Sequence, residues 1–413
     1  MSMTQPSFLH RSSGLLVCLT ALLLQVGCEG LFAELPDSPP GQAFVTVAAG
    51  GYHTCAVVGD GSTLCWGMGD RGQLGDGGTE DSGIPIKARG DEGAVELGAG
   101  VNHSCSIIDD EVHCWGANGQ GQVGQDGVSE QVVPQRVSSL SSVRQIAAGL
   151  AFSCAVTSAG EVFCWGRGRE GQLGNGQSSV SGEYTPQQVE GLSGVKDLDS
   201  GGAAWAGLDI RGHSCAIDAG DELWCWGSGD HGQLGDGQAE SSNVPVAVTG
   251  LPGAVRSVCT GGNHSCAVVD DGSVMCWGGS YGGKLGNGEL GGLLELGDYE
   301  AEPVEVVELD NAREVSCGRD FTCALLDDGT VACWGGNQEG QLGNGMDFDD
   351  RAEPGKVAAL EDVVHLSSGI GHSCAVVDGG QLYCWGRGEE LQLGNGSNSA
   401  SRNEPVQVNW PVD

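Results

Sequence analysis

Seven times along the chain, two short stretches of alternating side chains face each other across a turn, and both faces of the pair are made to be covered. The first stretch reads His-Ser/Thr-Cys-Ala in most copies and the second Cys-Trp-Gly. With each pair of cysteines set directly opposite, Trp66, Trp115, Trp165, Trp226, Trp277, Trp334 and Trp385 face Thr54, Ser104, Ser153, Ser214, Ser265, Thr322 and Ser373. Those are all small hydroxyl residues, and the diagonal neighbours, such as Ala56, Ser106 and Ala155, are small too. Side chains alternate between the two faces of a strand, so one face leaves room for an indole and the other carries the cysteines. Sheets that pack on both faces predict a β-propeller, in which each blade is sandwiched between its neighbours.

The Trp-Gly pairs recur at intervals of 49, 50, 61, 51, 57 and 51 residues. Each unit runs in one order: a Pro and a Val, a strand ending in small residues, the hairpin, then Gly-Gln-Leu-Gly-Asn/Asp-Gly or a close variant. Cys55 and Cys65 are ten apart, as are Cys154 and Cys164, Cys215 and Cys225, Cys266 and Cys276, Cys323 and Cys333, and Cys374 and Cys384. Cys105 and Cys114 are nine apart. The ten-residue spacing leaves a three-residue loop, which wants glycine at its left-handed third position. Gly61, Gly160, Gly272, Gly329 and Gly380 stand there, Gly220 falls one place early, and the shorter unit turns on Asp109-Asp110.

These ordered copies resemble the regulator of chromosome condensation repeat, and the resemblance covers residues 43–413. It implies an all-β, seven-bladed propeller of four-stranded blades. The chain starts mid-unit at Ala43 and ends with Glu404-Pro405-Val406-Gln407-Val408, the piece that opens other units. The N- and C-terminal strands are therefore expected to share one blade and close the ring as a clasp.

Composition adds the compartment. The chain has 413 residues, 74 of them glycine and 18 cysteine, and a net charge of −37. Such acidity repels phosphate backbones, so no nucleic-acid partner is expected. Residues 1–27 read as a signal peptide, with Arg11 ahead of a short apolar run. Leu24-Gln25-Val26-Gly27-Cys28 resembles a bacterial lipoprotein signal, departing from it at Gln25. The expected domains are the signal at 1–27, a lipidated N-terminus and Pro-rich tether at 28–42, and the propeller at 43–413. Cys28 is the lipidation candidate, its lipid the sole membrane contact, and a free secreted form is the alternative.

An oxidising compartment turns the hairpin cysteines into seven expected disulfides. Cys259 and Cys317, at nearly equivalent places in consecutive units, are candidates for a bridge between neighbouring blades. His53, His103, His213, His264 and His372 stand two residues before the first hairpin cysteine, but Phe152 and Phe321 fill the same slot elsewhere. A slot that accepts phenylalanine asks for a flat ring rather than a ligand, so no metal or cofactor is expected. Asp347, Asp349 and Asp350 match no calcium loop. No catalytic constellation stands out, and no inward-facing carboxylate is identified.

On a repeat scaffold, function sits where units differ. Two units are long, one around Trp205, Leu208 and Ile210, the other around Leu293, Leu294 and Tyr299. Exposed aromatic and aliphatic residues in loops mark interaction sites. Around one face lies a further variable set, Tyr52, Asn102, Ala151, Arg211, Asn263, Arg319 and Ile370, and the turns after Trp-Gly form another, with Arg71, Arg169, His231, Tyr281 and Glu389. The expected function is a non-enzymatic, monomeric, extracytoplasmic scaffold in a bacterial envelope, binding a protein partner through loops. Its partner-binding candidates are Trp205, Leu208, Ile210, Leu293, Leu294, Tyr299, Tyr52, Arg211 and Arg319. The alternative is a carbohydrate-binding propeller or a polysaccharide-active enzyme with its site in the central channel.

Overall fold

Each repeat folds into four antiparallel strands in sequence order. In blade 1 these are the inner strand Phe44–Ala49, then His53–Val58, Ser62–Gly67 and the outer strand Ser82–Glu92. The computed structural model describes residues 43–203, 211–292, 298–396 and 401–410. Blades 2 to 7 occupy residues 94–136, 143–188, 197–247, 255–305, 312–356 and 363–407. Their inner strands surround a central channel. A 3-10 turn, Tyr281–Gly283, replaces part of one loop.

The hairpin register agrees with the cysteine spacing. Cys55 lies opposite Cys65 and Thr54 opposite Trp66, and the same pairing recurs in the other blades. All seven hairpin disulfides are formed. Cys55 bonds Cys65, Cys105 bonds Cys114, Cys154 bonds Cys164 and Cys215 bonds Cys225. Cys266 bonds Cys276, Cys323 bonds Cys333 and Cys374 bonds Cys384. An eighth bridge joins Cys259 of blade 5 to Cys317 of blade 6. Gly61, Gly160, Gly272, Gly329 and Gly380 adopt positive φ. In blade 4 that conformation falls on Asp221, one place after Gly220, and in blade 2 on Asp109 and Asp110.

The core lies between blades rather than within them. The disulfide face of blade 1, with Cys55, Cys65 and Leu74, packs on Trp115 of blade 2, and Cys154, Cys164 and Leu173 of blade 3 pack on Trp226. Cys215, Cys225 and Leu234 of blade 4 pack on Trp277, and Cys323, Cys333 and Leu342 of blade 6 on Trp385. Blade 7 repeats the contact, Cys374, Cys384 and Leu393 covering Phe44 and Trp66 of blade 1. Every Trp-Gly indole is fully buried. Each contributes roughly 4–6 kcal/mol of transfer free energy, an upper estimate because unfolded chains already bury some surface. Its ring N–H donates to the preceding blade's Gly-Gln-Leu-Gly turn: Trp115 to the carbonyl of Gln73 at 2.8 Å, and Trp66 to that of Gln392 at 2.8 Å. This contact explains the second glycine of the motif. A Cβ on Gly75, whose φ is 72°, would stand 2.9 Å from Nε1 of Trp115.

Ring closure differs from the clasp expected above. Phe44–Ala49 pairs within blade 1, and Arg402–Gln407 is the outer strand of blade 7, so the two terminal strands share no blade. The Pro-Val strand ends each blade instead of opening it. Counted from the inner strand, seven complete units fit the chain and none is left to split.

Candidate interaction end and central channel

The histidine slot is a ring of hydrogen bonds between blades. Nε2 of His53 meets the hydroxyl of Ser104 at 2.7 Å, His103 meets Ser153 at 2.9 Å, His213 meets Ser265 at 2.8 Å and His264 meets Thr322 at 2.9 Å. His372 closes the ring on Thr54 at 2.8 Å. Burial pushes these imidazoles far below their ordinary range, His53 and His372 to about 3 and His103 and His213 to about 4. They are neutral packing groups at physiological pH. Where the ring is Phe152 or Phe321, the next blade's hydroxyl has no imidazole to meet. There Ser214 bonds Ser200 and Ser373 bonds Ser368, both at 2.9 Å, from serines on the inner strand.

The channel, about 570 Å³ in volume, carries chemistry that the sequence pattern did not reveal. Glu96, Asp197 and Glu314, from blades 2, 4 and 6, line it together with Gln145, Asp199 and His365. Burial pushes the Glu96 carboxyl up to about 7, the Ile146 N–H opposing and Asp197 adding to the rise. Glu314 reaches about 7 through burial as well, with Arg313 opposing and Asp197 adding. Most of these groups link neighbouring blades. Glu96 accepts the N–H of Ile146 at 3.1 Å, and Asp199 accepts both the N–H and the hydroxyl of Thr260 at 2.7 and 2.9 Å. The Gln145 amide donates to Asp197 at 2.7 Å. The serines at the equivalent height do likewise: Ser316 accepts from Ser368 N–H and Ser367 from Ala49 N–H.

One end of the ring gathers the described partner-binding candidates. Connections from inner to second strands and from third to outer strands both open there. In blade 4 the paired strand ends Ala203 and Arg211 lie at this end, and so do the paired residues Gly279 and Tyr299 in blade 5. Tyr299 is 45% exposed. Tyr52 is half-buried under the Arg387 guanidinium, 5.4 Å from the ring centre, and Arg211 pairs with Asp230 at 2.7 Å. Arg319 pairs with Asp320 at 2.5 Å. The two variable sets of the sequence reading thus belong to the same end, the second represented by Arg71, which pairs with Glu130 of blade 2 at 2.9 Å. Trp205, Leu208, Ile210, Leu293 and Leu294 lie outside the described residues, as do residues 1–42 with Cys28.

Sequence reasoning missed a buried ionic cluster at this end. Lys284 replaces the glutamine of the turn motif, is 1% exposed, and donates to Asn263 at 2.6 Å and Asp320 at 3.1 Å. Burial works against the charge of Asp320, but Lys284 and Arg319 outweigh it and hold the carboxyl below its usual range. The signal was a lysine in a motif that elsewhere carries glutamine. Asp347, the head of the acidic turn, is paired with Arg351 at 2.9 Å, and Asp350 accepts the N–H of Asn337.

The regulator of chromosome condensation (RCC1) repeat matches the chain at residues 60–107, 109–156, 159–203, 221–268, 271–325, 328–376 and 379–413. The chain is 32% identical over 393 residues to the ultraviolet-B receptor UVR8 of Arabidopsis thaliana, covering 93% of this chain and 74% of that protein. It is 31% identical to human HERC2, an E3 ubiquitin-protein ligase, over 60% of this chain but only 5% of HERC2. Among solved structures, Prp20p of Saccharomyces cerevisiae superposes with a TM-score of 0.73 at 22% identity, covering 89% of this chain and 87% of Prp20p. Human WBSCR16 also superposes with a TM-score of 0.73, at 21% identity, over 85% of this chain and 95% of its own. The relatives named here are eukaryotic.

Proposed function

Because the chain belongs to the regulator of chromosome condensation (RCC1) repeat family, we propose that it is a non-enzymatic, extracytoplasmic propeller that binds a protein partner through one end of its ring. The observation that carries this reading is convergence: both places where the repeat lengthens, and Tyr52, Arg211, Tyr299 and Arg319, belong to the same end. Insertions on a packed repeat cost little stability when they leave from loops, so two of them at one end support a use for that end. Eight disulfides fit an oxidising, extracellular environment, and no helix of the described residues is long and apolar enough to cross a membrane. The similar Prp20p is described with binding to Gsp1p and histones, and in another structure is bound to Kap60. Protein binding by the fold supports the reading here; those particular partners do not come with it.

Partner capture from cell-envelope extract tests the reading. Trp205→Ala, Tyr299→Ala and Arg211→Glu should lose the captured protein, while Val95→Glu at the opposite end should keep it. Equal recovery on all four variants, or loss confined to Val95→Glu, overturns the assignment of the end. Lipid anchoring has its own check: a labelled fatty acid should enter the wild type and not Cys28→Ala. The alternative, a polysaccharide-active channel, draws on Glu96 and Glu314; glycan turnover abolished by Glu314→Gln would favour it over a scaffold.

A further inference from the structure

Three strands of blade 5 carry cysteine at the same height. Cys259 stands opposite Cys266 in one ladder, and Cys266 stands opposite Cys276 in the next. The position of Cys259 is held in the other blades by Ala48, Gly98, Ala147, Asp199, Ser316 and Ser367, so this row of three is particular to blade 5. Cys259 is bonded to Cys317 and Cys266 to Cys276. The sulfurs of Cys259, Cys266 and Cys317 all lie within 4.8 Å of one another. Cys259 and Cys317 line the central channel, with Cys317 the more exposed at 8%, whereas Cys266 and Cys276 are fully buried.

We propose that Cys317, Cys259, Cys266 and Cys276 form a thiol–disulfide exchange relay that a small dithiol reductant enters from the channel. A thiolate of the dithiol attacks Sγ of Cys317, the Cys259–Cys317 bond breaks, and its electron pair leaves on Cys259. Cys259 thiolate then attacks Sγ of Cys266, forming Cys259–Cys266 and releasing Cys276 as a thiolate. The second thiol of the reductant resolves its mixed disulfide with Cys317. One dithiol is oxidised to a disulfide, its two protons end on Cys276 and Cys317, and the protein is left with seven disulfides, six of the original eight and the new Cys259–Cys266 bond. The two electrons enter at the wall between blades 5 and 6, and one of the resulting thiols is placed inside blade 5. The covalent tie between the two blades is exchanged for a tie within one of them.

Trypsin makes the exchange readable. Cleavage after Arg256, Lys284, Arg313 and Arg319 yields peptide 257–284, which holds Cys259, Cys266 and Cys276, and peptide 314–319, which holds Cys317. In the oxidised full-length protein the two peptides are disulfide-linked. The protein is treated with substoichiometric dithiothreitol, quenched in acid, alkylated and digested at a series of times. The relay predicts that 314–319 is released with one alkyl group and that 257–284 gains one alkyl group on Cys276 while holding a Cys259–Cys266 bond. Alkylation confined to Cys259 and Cys317 at every time, with Cys266–Cys276 intact, overturns it. So does labelling of hairpin cysteines in other blades, such as Cys55 and Cys65, at the same rate, which would mark general unfolding. In the double variant Cys266→Ala with Cys276→Ala the label must fall on Cys259 and Cys317 alone.

Discussion

Replacing His103 with Phe tests the inter-blade ring through pH. Burial holds His103 at about 4 in the folded protein, against an ordinary imidazole value of 6.5. A group depressed in this way binds its proton in the unfolded chain first, so its contribution to stability is whole above pH 6.5 and is lost as pH falls toward 4. Two and a half pH units correspond to about 3.4 kcal/mol in full, of which about 2 kcal/mol is lost by pH 5. Phe already fills this slot as Phe152 and Phe321 with no exposure, so the ring fits. At pH 7.5 the variant loses the Nε2 bond to Ser153, a net of about 1 kcal/mol, and also removes Nδ1, a buried nitrogen with no partner. The two effects oppose, and the hydroxyl of Ser153 still donates to the carbonyl of Gln122. His103→Phe should therefore match the wild type near neutrality and gain on it by about 2 kcal/mol at pH 5. Glu96 and Glu314 titrate in the opposite sense, gaining stability as pH falls through about 7, but they do so in both proteins and cancel in the comparison. Urea unfolding with disulfides intact, at pH values from 7.5 to 4.5, measures the difference. A constant gap between the two proteins across that range would refute the reasoning.

Two further perturbations probe other parts of the structure. Lys284→Met leaves Asp320 buried with Arg319 alone and should cost about 3–5 kcal/mol in urea unfolding, whereas Lys284→Met combined with Asp320→Leu should recover most of that loss, because a buried ion pair costs more to break than to replace. Removing residues 404–413 takes most of the outer strand of blade 7, the buried Val408 and the Trp410 ring stacked 4.4 Å from Phe44, and should lower the melting temperature sharply; an unchanged melt would deny these residues any part in closure.

The hairpins were legible because their chemistry is local and repeated. A spacing of ten from one cysteine to the next, with glycine at the third loop position, leaves one register open, and that register sets Thr54 against Trp66 before any fold is considered. The Cys259–Cys317 bridge was legible for the same reason, two cysteines at near-equivalent heights in adjacent units. The channel was not. Alternation says that Glu96 and Glu314 point to one side of their strands, but which strand is innermost depends on the phase of the repeat. Counting each unit from its proline put the phase one strand off, and so put the terminal strands in one blade and hid the inward carboxylates. The hydroxyls facing each Trp were read as small residues making space. Their bonds to the preceding blade's imidazoles, such as Ser153 to His103, arise from contacts 50 residues apart that no single unit displays, and the serines that substitute within a blade gain their role only where that imidazole is phenylalanine. Among the candidate binding residues, the common end of Tyr52, Arg211, Arg319 and Tyr299 became visible once the strand directions were known.

The same inter-blade contacts explain how a ring without a shared blade stays closed. Six seams are crossed by the backbone itself; the seam between blades 7 and 1 is not, and must hold by side chains and hydrogen bonds alone. It carries a full set of them. Trp66 and Thr54 both donate to Gln392, His372 meets Thr54, and Ser367 accepts the N–H of Ala49. Thr46 meets His365 at 3.1 Å, and Phe44 donates its N–H to Gly380 at 3.0 Å. The core between them, from Cys374, Val376 and Leu393 to Phe44 and Trp66, is of the same kind as the core at the seams the chain crosses. A shared blade is one way to close a propeller; a seam with the full packing of the others is a second. Opening it exposes a complete Trp face and a complete disulfide face, a cost of several kcal/mol that an isolated blade has no means to offset.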